Sequence, residues 1–115
     1  MSTAEIRHFI DDIARMGVKH ISIHGGEPLL HQNFCEILEY ASRHGLHTST
    51  FTNATLITED TARCCIEHLN DIGVSIHGGE SVHDAITGVP GSYRKCMAGL
   101  KRLQAAKQAA RAGFP

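Results

Sequence analysis

The chain has no tryptophan, two tyrosines and four phenylalanines, and its 11 lysines and arginines are balanced by 12 aspartates and glutamates. With no basic block and few aromatics, a nucleic-acid surface is not indicated. No apolar run approaches the ~20 residues that span a bilayer. The polar, acidic start through Ser2, Thr3 and Glu5 is unlike a secretory signal, so a cytoplasmic protein without membrane segments is expected. There is no H-E-x-x-H or comparable set, which argues against a histidine-based metal hydrolase. The four cysteines, Cys35, Cys64, Cys65 and Cys96, lack the spacing of a chelating loop. Cys35, Cys65 and Cys96 fall on or beside the apolar faces of three predicted helices and read as small buried hydrophobes. Cys64 is adjacent to Cys65, which suits neither a chelating loop nor a disulfide. The length, 115 residues, is that of one domain, and less than half of the ~250 residues of a closed eight-stranded α/β barrel.

What is present centres on Ile21-Ser22-Ile23-His24-Gly25-Gly26-Glu27-Pro28. Apolar Ile21 and Ile23 alternate with His20, Ser22 and His24, the period-two pattern of a strand with two chemically different faces. Gly25 and Gly26 allow a ligand close to the backbone, Glu27 adds a carboxylate, and Pro28 suits the first turn of a helix. The same letters return as Ser75-Ile76-His77-Gly78-Gly79-Glu80, two βα units further on. Such a repeat suits a barrel built by duplication, with chance convergence of two loop ends as the alternative.

The remaining elements follow in order. Ser2 and Glu5 form a capping box for a helix with the stripe Ile6, Phe9, Ile10, Ile13 and Met16, ended by Gly17. A second helix is predicted from about Pro28 to His44, burying Leu30, Phe34, Ile37, Leu38 and Ala41. Residues 47–52 read as a strand, and Thr58 caps a third helix through Ala62, Cys65, Ile66 and Leu69. Ile72, Val74 and Ile76 carry the next strand. A loop rich in Gly and Pro follows, in which Asp84 serves as a turn or cap residue, and Ser92 caps a final long helix. His31, His44, His47 and His68 read as surface or capping residues.

Alternating helices and strands with short connections indicate an α/β fold with a parallel sheet. Parallel strands are usually buried on both faces, yet here one face carries Ser22, His24, Gly73, Ser75 and His77, with threonines between. Unsatisfied donors in a dry core would cost roughly 1 to 3 kcal/mol each, so that face is expected to line a wet or ligand-filled cavity. Thr52, Asn53, Ser75 and His77 lie at strand C-termini, where α/β barrels gather their functional groups. For His24 and His77 cavity lining and a surface role are both open.

Gly25-Gly26-Glu27-Pro28-Leu29-Leu30, closing a strand and opening a helix, resembles the S-adenosylmethionine-binding GGEP motif of the radical SAM superfamily. Thr52-Asn53, Val74-Ser75-Ile76, His83-Asp84 and Gly91-Ser92-Tyr93 follow in the order seen in peptide-modifying members. The resemblance implies a fragment of a (β/α)6 core, a partial parallel barrel spanning residues 1–115. It implies S-adenosylmethionine as a cofactor, with Gly25, Gly26 and Glu27 on its methionyl ammonium and Ser75 near its ribose and carboxylate. Pro28, Thr52, Asn53 and His77 complete the expected cofactor-binding set, although Ala54 stands where the family often has glycine. Arg94 is either a partner of the cofactor carboxylate or a solvent-facing charge. A metal or acid/base role for His83 and Asp84 is the alternative to the cap.

The family's 4Fe–4S cluster is held by a C-x3-C-x2-C loop that this chain does not contain, so its ligands are expected upstream of Met1. The later strands are expected beyond Pro115. The implied chemistry is reductive cleavage of S-adenosylmethionine to a 5′-deoxyadenosyl radical, on a substrate that the sequence leaves open, a peptide among the possibilities. The chain alone is expected to be inactive and to self-associate through open sheet edges. The alternative is a stand-alone, non-catalytic half-barrel that binds a nucleotide or a partner chain.

Overall fold

The computed structural model describes residues 2–24 and 27–112. Three parallel strands, β1 (His20–Ile23), β2 (His47–Thr52) and β3 (Asp71–Val74), lie side by side in chain order. Helices α1 (Thr3–Arg15), α2 (Phe34–Arg43), α3 (Glu59–His68), α4 (Glu80–Thr87) and α5 (Ser92–Ala112) surround them, with a short 3-10 turn at Pro28–Leu30. α1, α2, α3 and α5 pack each on the next, forming a layer on one face of the sheet. Two apolar clusters join that layer to the strands, one around Leu38, Ile57, Cys65 and Cys96 and one around Ile10, Ile37 and Leu46. The radius of gyration is 15.4 Å, against about 13 Å for a closed domain of similar length. A sheet with helices on one side and, among the described residues, no layer on the other is an arc of a parallel (β/α) barrel, as expected from the sequence.

Register decides which side chains share a face. Ile23, Thr50 and Ile72 are in line across the three strands, as are Phe51 and Gly73. The helix-covered face therefore carries Ile21, Ile23, Ile72 and Val74 together with buried Thr48, Thr50 and Thr52. This corrects the expectation that the threonines belong with the polar set. Their hydroxyls are satisfied locally: Thr50 Oγ1 donates to the Ile23 carbonyl at 2.8 Å, and Thr48 Oγ1 to the His68 carbonyl. A hydroxyl with a partner can be buried without the desolvation penalty.

The open face carries His20, Ser22, His47, Ser49, Phe51 and Asp71. Its side chains pair with one another: His20 Nε2 with Ser49 Oγ at 3.1 Å, Ser49 Oγ with Ser22 Oγ at 3.0 Å, and Ser22 Oγ with His24 Nε2 at 2.6 Å.

Helix boundaries depart from the sequence pattern at three places. The second helix begins at Phe34, not Pro28, because Glu27 caps a separate 3-10 turn and Asn33 Nδ2 is tied to Thr3 Oγ1 at 2.6 Å. Leu30 is consequently 71% exposed. β3 stops at Val74, leaving Ile76 exposed. The segment expected as a loop contains α4, started by Gly79 and ended by Gly88 at φ 71°, the left-handed conformation that a helix terminator requires. In α1, Phe9 and Met16 are exposed and only Ile10 is fully buried. Among the described residues α1 packs mainly on α2, so its buried stripe is narrow.

Asp84 closes the α4–α5 corner. Its carboxylate accepts Tyr93 N–H at 2.8 Å, Gly91 N–H at 3.0 Å and Ser92 Oγ–H at 3.1 Å. The cap of α5 is thus supplied by Asp84 from α4, with Ser92 as the first helical residue. Those backbone donors, Tyr93 first and then Gly91, hold the Asp84 carboxyl below its ordinary range.

Candidate functional site

At the C-terminal ends of the strands lies a cleft of about 380 Å³, bounded by Glu27, Thr52 and Asn53, by Ser75 and His77, and by the rings of His24 and Phe51. Larger hollows exist between α3 and α5, about 560 Å³, and beside β3, about 600 Å³. Those are mainly apolar troughs between helices or at a sheet edge, with charged side chains such as Glu59, Arg63, Glu67 and Lys101 or Asp71 and Lys107 at their walls, and they lie away from the strand C-termini. The strand-end cleft has converging polar groups from all three strands, which is what orients a ligand.

Glu27 is its best-defined member. It has an extended backbone as the cap of the 3-10 turn, and its Oε2 accepts Leu29 N–H at 3.0 Å. Thr52 Oγ1 lies 2.8 and 2.7 Å from the two carboxylate oxygens, and Asn53 N–H donates to Oε1 at 2.7 Å. One acid from the β1 corner thus clamps the end of β2. A carboxylate offers about four acceptor sites, and these three donors leave room for about one more hydrogen bond. An ammonium group is a chemically suitable fourth donor.

The loop beyond Thr52 is set by close backbone packing. Ala54 is fully buried with φ 63°, so the left-handed geometry is present although the residue is not glycine. A left-handed non-glycine residue costs roughly 1–2 kcal/mol, offset here by packing. Gly99 of α5 lies against it: a Cβ on Gly99 would sit 2.0 Å from the Ala54 carbonyl oxygen. Asn53 Oδ1 in turn accepts Thr55 N–H at 3.0 Å.

On the opposite side, His77 N–H donates to Nδ1 of His83 at 3.2 Å. His83 is 2% exposed and packs edge-on to Tyr93, ring centroids 5.8 Å apart. The His83 ring thus anchors the backbone of the segment bearing Ser75 and His77. It stands as a buried backbone acceptor rather than in a metal set. Arg94 pairs with Glu80 at 2.9 Å and is 78% exposed, a solvent-facing charge.

Of the residues singled out in the sequence, Glu27, Thr52, Asn53, Ser75 and His77 come together in this cleft, joined by His24. Gly25 and Gly26 lie outside the described residues. Pro28 is buried and lines a neighbouring apolar groove with Ile6, Ile21 and Phe34. Phe51 and His83 were not singled out for the roles they take. The pairing of Phe51 with Gly73 across strands was the signal available for the first; the second depends on a helix that the Gly and Pro content obscured.

The cysteines do not fit an iron–sulfur cluster. Cys65 and Cys96 are buried in the core under α3 and α5, and Cys35 and Cys64 are half-buried against it. Burial pushes the thiols of Cys64 and Cys96 up and that of Cys65 up to about 12. Thiolate ligands need the opposite environment. Among the described residues no group of three or more His, Cys, Asp or Glu side chains is placed to hold a metal ion, and no helix is long and apolar enough to cross a membrane.

Comparison with known proteins agrees with this fold. The chain is 34% identical over 108 residues to the AdoMet-dependent heme synthase of Methanosarcina barkeri, covering 92% of this chain and 31% of that protein. It is equally similar to the mycofactocin maturase MftC of Mycobacterium tuberculosis, 34% identical, covering 92% of this chain and 27% of the relative. The structure of native anSMEcpe with bound AdoMet superposes with a TM-score of 0.79 at 22% identity, covering 93% of this chain and 33% of that one. The chain therefore spans about a third of the proteins it matches. The family model of the radical SAM superfamily matches residues 1–113, and this chain belongs to that superfamily.

Proposed function

We propose that this chain, residues 1–115, is the S-adenosylmethionine-binding central portion of a radical SAM enzyme. The observation that carries the reading is the Glu27 clamp, which sets an acid with one acceptor site left at the mouth of the strand-end cleft. In this reading Glu27, with Gly25 and Gly26, takes the methionyl ammonium. Thr52 and Asn53 hold Glu27 in place, Pro28 sets the turn behind it, and Ser75 and His77 face the ribose and carboxylate.

When bound with its cluster, the cofactor supplies reductive cleavage to a 5′-deoxyadenosyl radical; this chain's own residues bind and orient the nucleotide. The four thiols of the chain do not hold a 4Fe–4S cluster, so its ligands belong to another segment and the chain by itself is inactive. A peptide substrate is the natural class, because MftC is by name a maturase and the anSMEcpe structures include complexes with peptides. Free thiols and no disulfide among the described residues accord with a cytoplasmic setting. The unpaired outer edges of β1 and β3 support self-association of the isolated chain. They support equally the second reading, a non-catalytic half-barrel that pairs with a partner chain.

Two measurements test this. Calorimetric titration with S-adenosylmethionine should show binding that Glu27→Ala abolishes; equal affinity in the variant overturns the assignment. Sequencing upstream of the Met1 codon should find an in-frame three-cysteine loop, whereas a promoter and stop codon there would favour the half-barrel.

A further inference from the structure

Phe51 is out of place by the usual rules of a sheet surface. Among the described residues it is the one large apolar side chain on the open face of the three strands, beside His20, Ser22, His47, Ser49 and Asp71, and it is 56% exposed. Its ring does not stand away from the sheet. It lies down across β3, where a Cβ on Gly73 would meet Cε1 at 2.3 Å and Cδ1 at 2.4 Å. Any other residue at 73 would push the ring up, so the glycine and the flat ring go together. The His24 ring stacks on it, centroids 5.1 Å apart and planes 24° from parallel. The two rings thus form an offset stack where the cleft opens, with Asn53, Ser75 and His77 around the rim.

We propose that Phe51, laid flat over Gly73 and stacked with His24, is part of a stacking platform for a planar aromatic or heteroaromatic ring held in this cleft. Stacking on a fixed ring face tolerates many heterocycles, while the polar rim reads the ring's edge atoms. A phosphate or carboxylate would be repelled by the negative face of the phenyl ring. The ring could be the adenine of the nucleotide or an aromatic group of the substrate, and the two share this chemistry. The inference rests on the proposed cofactor reading only in that both use the same cleft.

The test titrates the 115-residue chain with S-adenosylhomocysteine, N-acetyltyrosinamide and coproporphyrin III, in the wild type and in Phe51→Leu, Phe51→Tyr and Glu27→Ala. For at least one probe, Phe51→Leu should weaken binding roughly tenfold, the equivalent of about 1.4 kcal/mol. Phe51→Tyr should stay within about twofold, the ring being kept. Upfield shifts of the bound probe's ring protons should appear in the wild type and vanish in the leucine variant. An effect confined to S-adenosylhomocysteine assigns the platform to adenine; an effect on tyrosinamide or the tetrapyrrole assigns it to a substrate ring.

Binding of every probe within about twofold in Phe51→Leu overturns the proposal, as does failure of all three to bind the wild type. If Glu27→Ala abolishes S-adenosylhomocysteine binding while Phe51→Leu changes nothing, the cofactor reading stands and the platform falls. The converse result removes the cofactor reading and leaves the platform. Circular dichroism melts of each variant separate a lost platform from a lost fold.

Discussion

The hexapeptide Ser-Ile-His-Gly-Gly-Glu occurs twice, at residues 22–27 and 75–80, and the two copies do different things. In the first, Ser22 and Ile23 belong to β1, Ile23 packs into the core, and Glu27 is drawn inward onto Thr52, Asn53 and Leu29. In the second, the strand has already ended, Ile76 is 47% exposed, Gly79 starts a helix, and Glu80 reaches sideways to Arg94. Identical letters place one acid in a clamp and the other on the surface. The difference comes from the neighbours. β1 has Thr52 and Asn53 at the end of β2 beside its own end, whereas β3 is the edge of the described sheet and its following loop is held by His83 instead.

Variants at the two corners should separate these roles. Glu27→Ala should have the largest effect, because it leaves the Thr52 hydroxyl and two backbone N–H groups without an acceptor. A loss of about 2–4 kcal/mol in urea denaturation is expected, and a change under about 0.5 kcal/mol would show that the clamp does not exist in solution. Gly99→Ala comes next. Its Cβ would collide with the Ala54 carbonyl and displace the loop that Glu27 grips, costing about 1–3 kcal/mol. Thr52→Val should cost about 1–2 kcal/mol and Thr52→Ser much less, since serine keeps the hydroxyl; equal losses would reduce Thr52 to a packing residue.

At the α4–α5 corner, just beyond the second copy, the pH dependence is informative. The Asp84 carboxyl is held below its ordinary value of 3.8, so it stabilises the fold above that pH and ceases to do so as the pH falls through its folded-state value. Asp84→Asn should therefore melt at a lower temperature than the wild type at pH 7, with the gap closing in strong acid. A gap that persists at acid pH would assign the effect to shape rather than charge. Glu80→Ala should be smallest, within about 0.5 kcal/mol of the wild type, as an exposed ion pair predicts. A larger loss would mean the two copies are more alike than their surroundings indicate.

Much of the fold was readable because the relevant signals are local. The alternation in residues 20–24, the Ser2 and Thr58 caps and the glycine stops at Gly17 and Gly45 each act within a few residues, and each element they mark is present. Boundaries failed where a distant side chain intervened. Glu27 and Asn33 shortened the second helix, and α4 went unread because Gly79 and Gly88 look like a loop unless they are known to stand at its two ends. The cleft was legible as a set of strand ends but not as a geometry. That Thr52 faces Glu27, that Ala54 adopts a left-handed conformation, or that Phe51 lies on Gly73 is fixed by register and by α5, not by any neighbour in sequence.

The amino-acid order by itself settled the alternation of helix and strand and the parallel α/β class, because propensity, capping and period are properties of short segments. Only the tertiary structure decided which of two identical corners holds a clamped acid and which face of the sheet takes the threonines. Those outcomes depend on what lies across the strand ends. A hydrogen bond between residues 25 positions apart in the chain, such as Thr52 to Glu27, exists only once the sheet has brought them together.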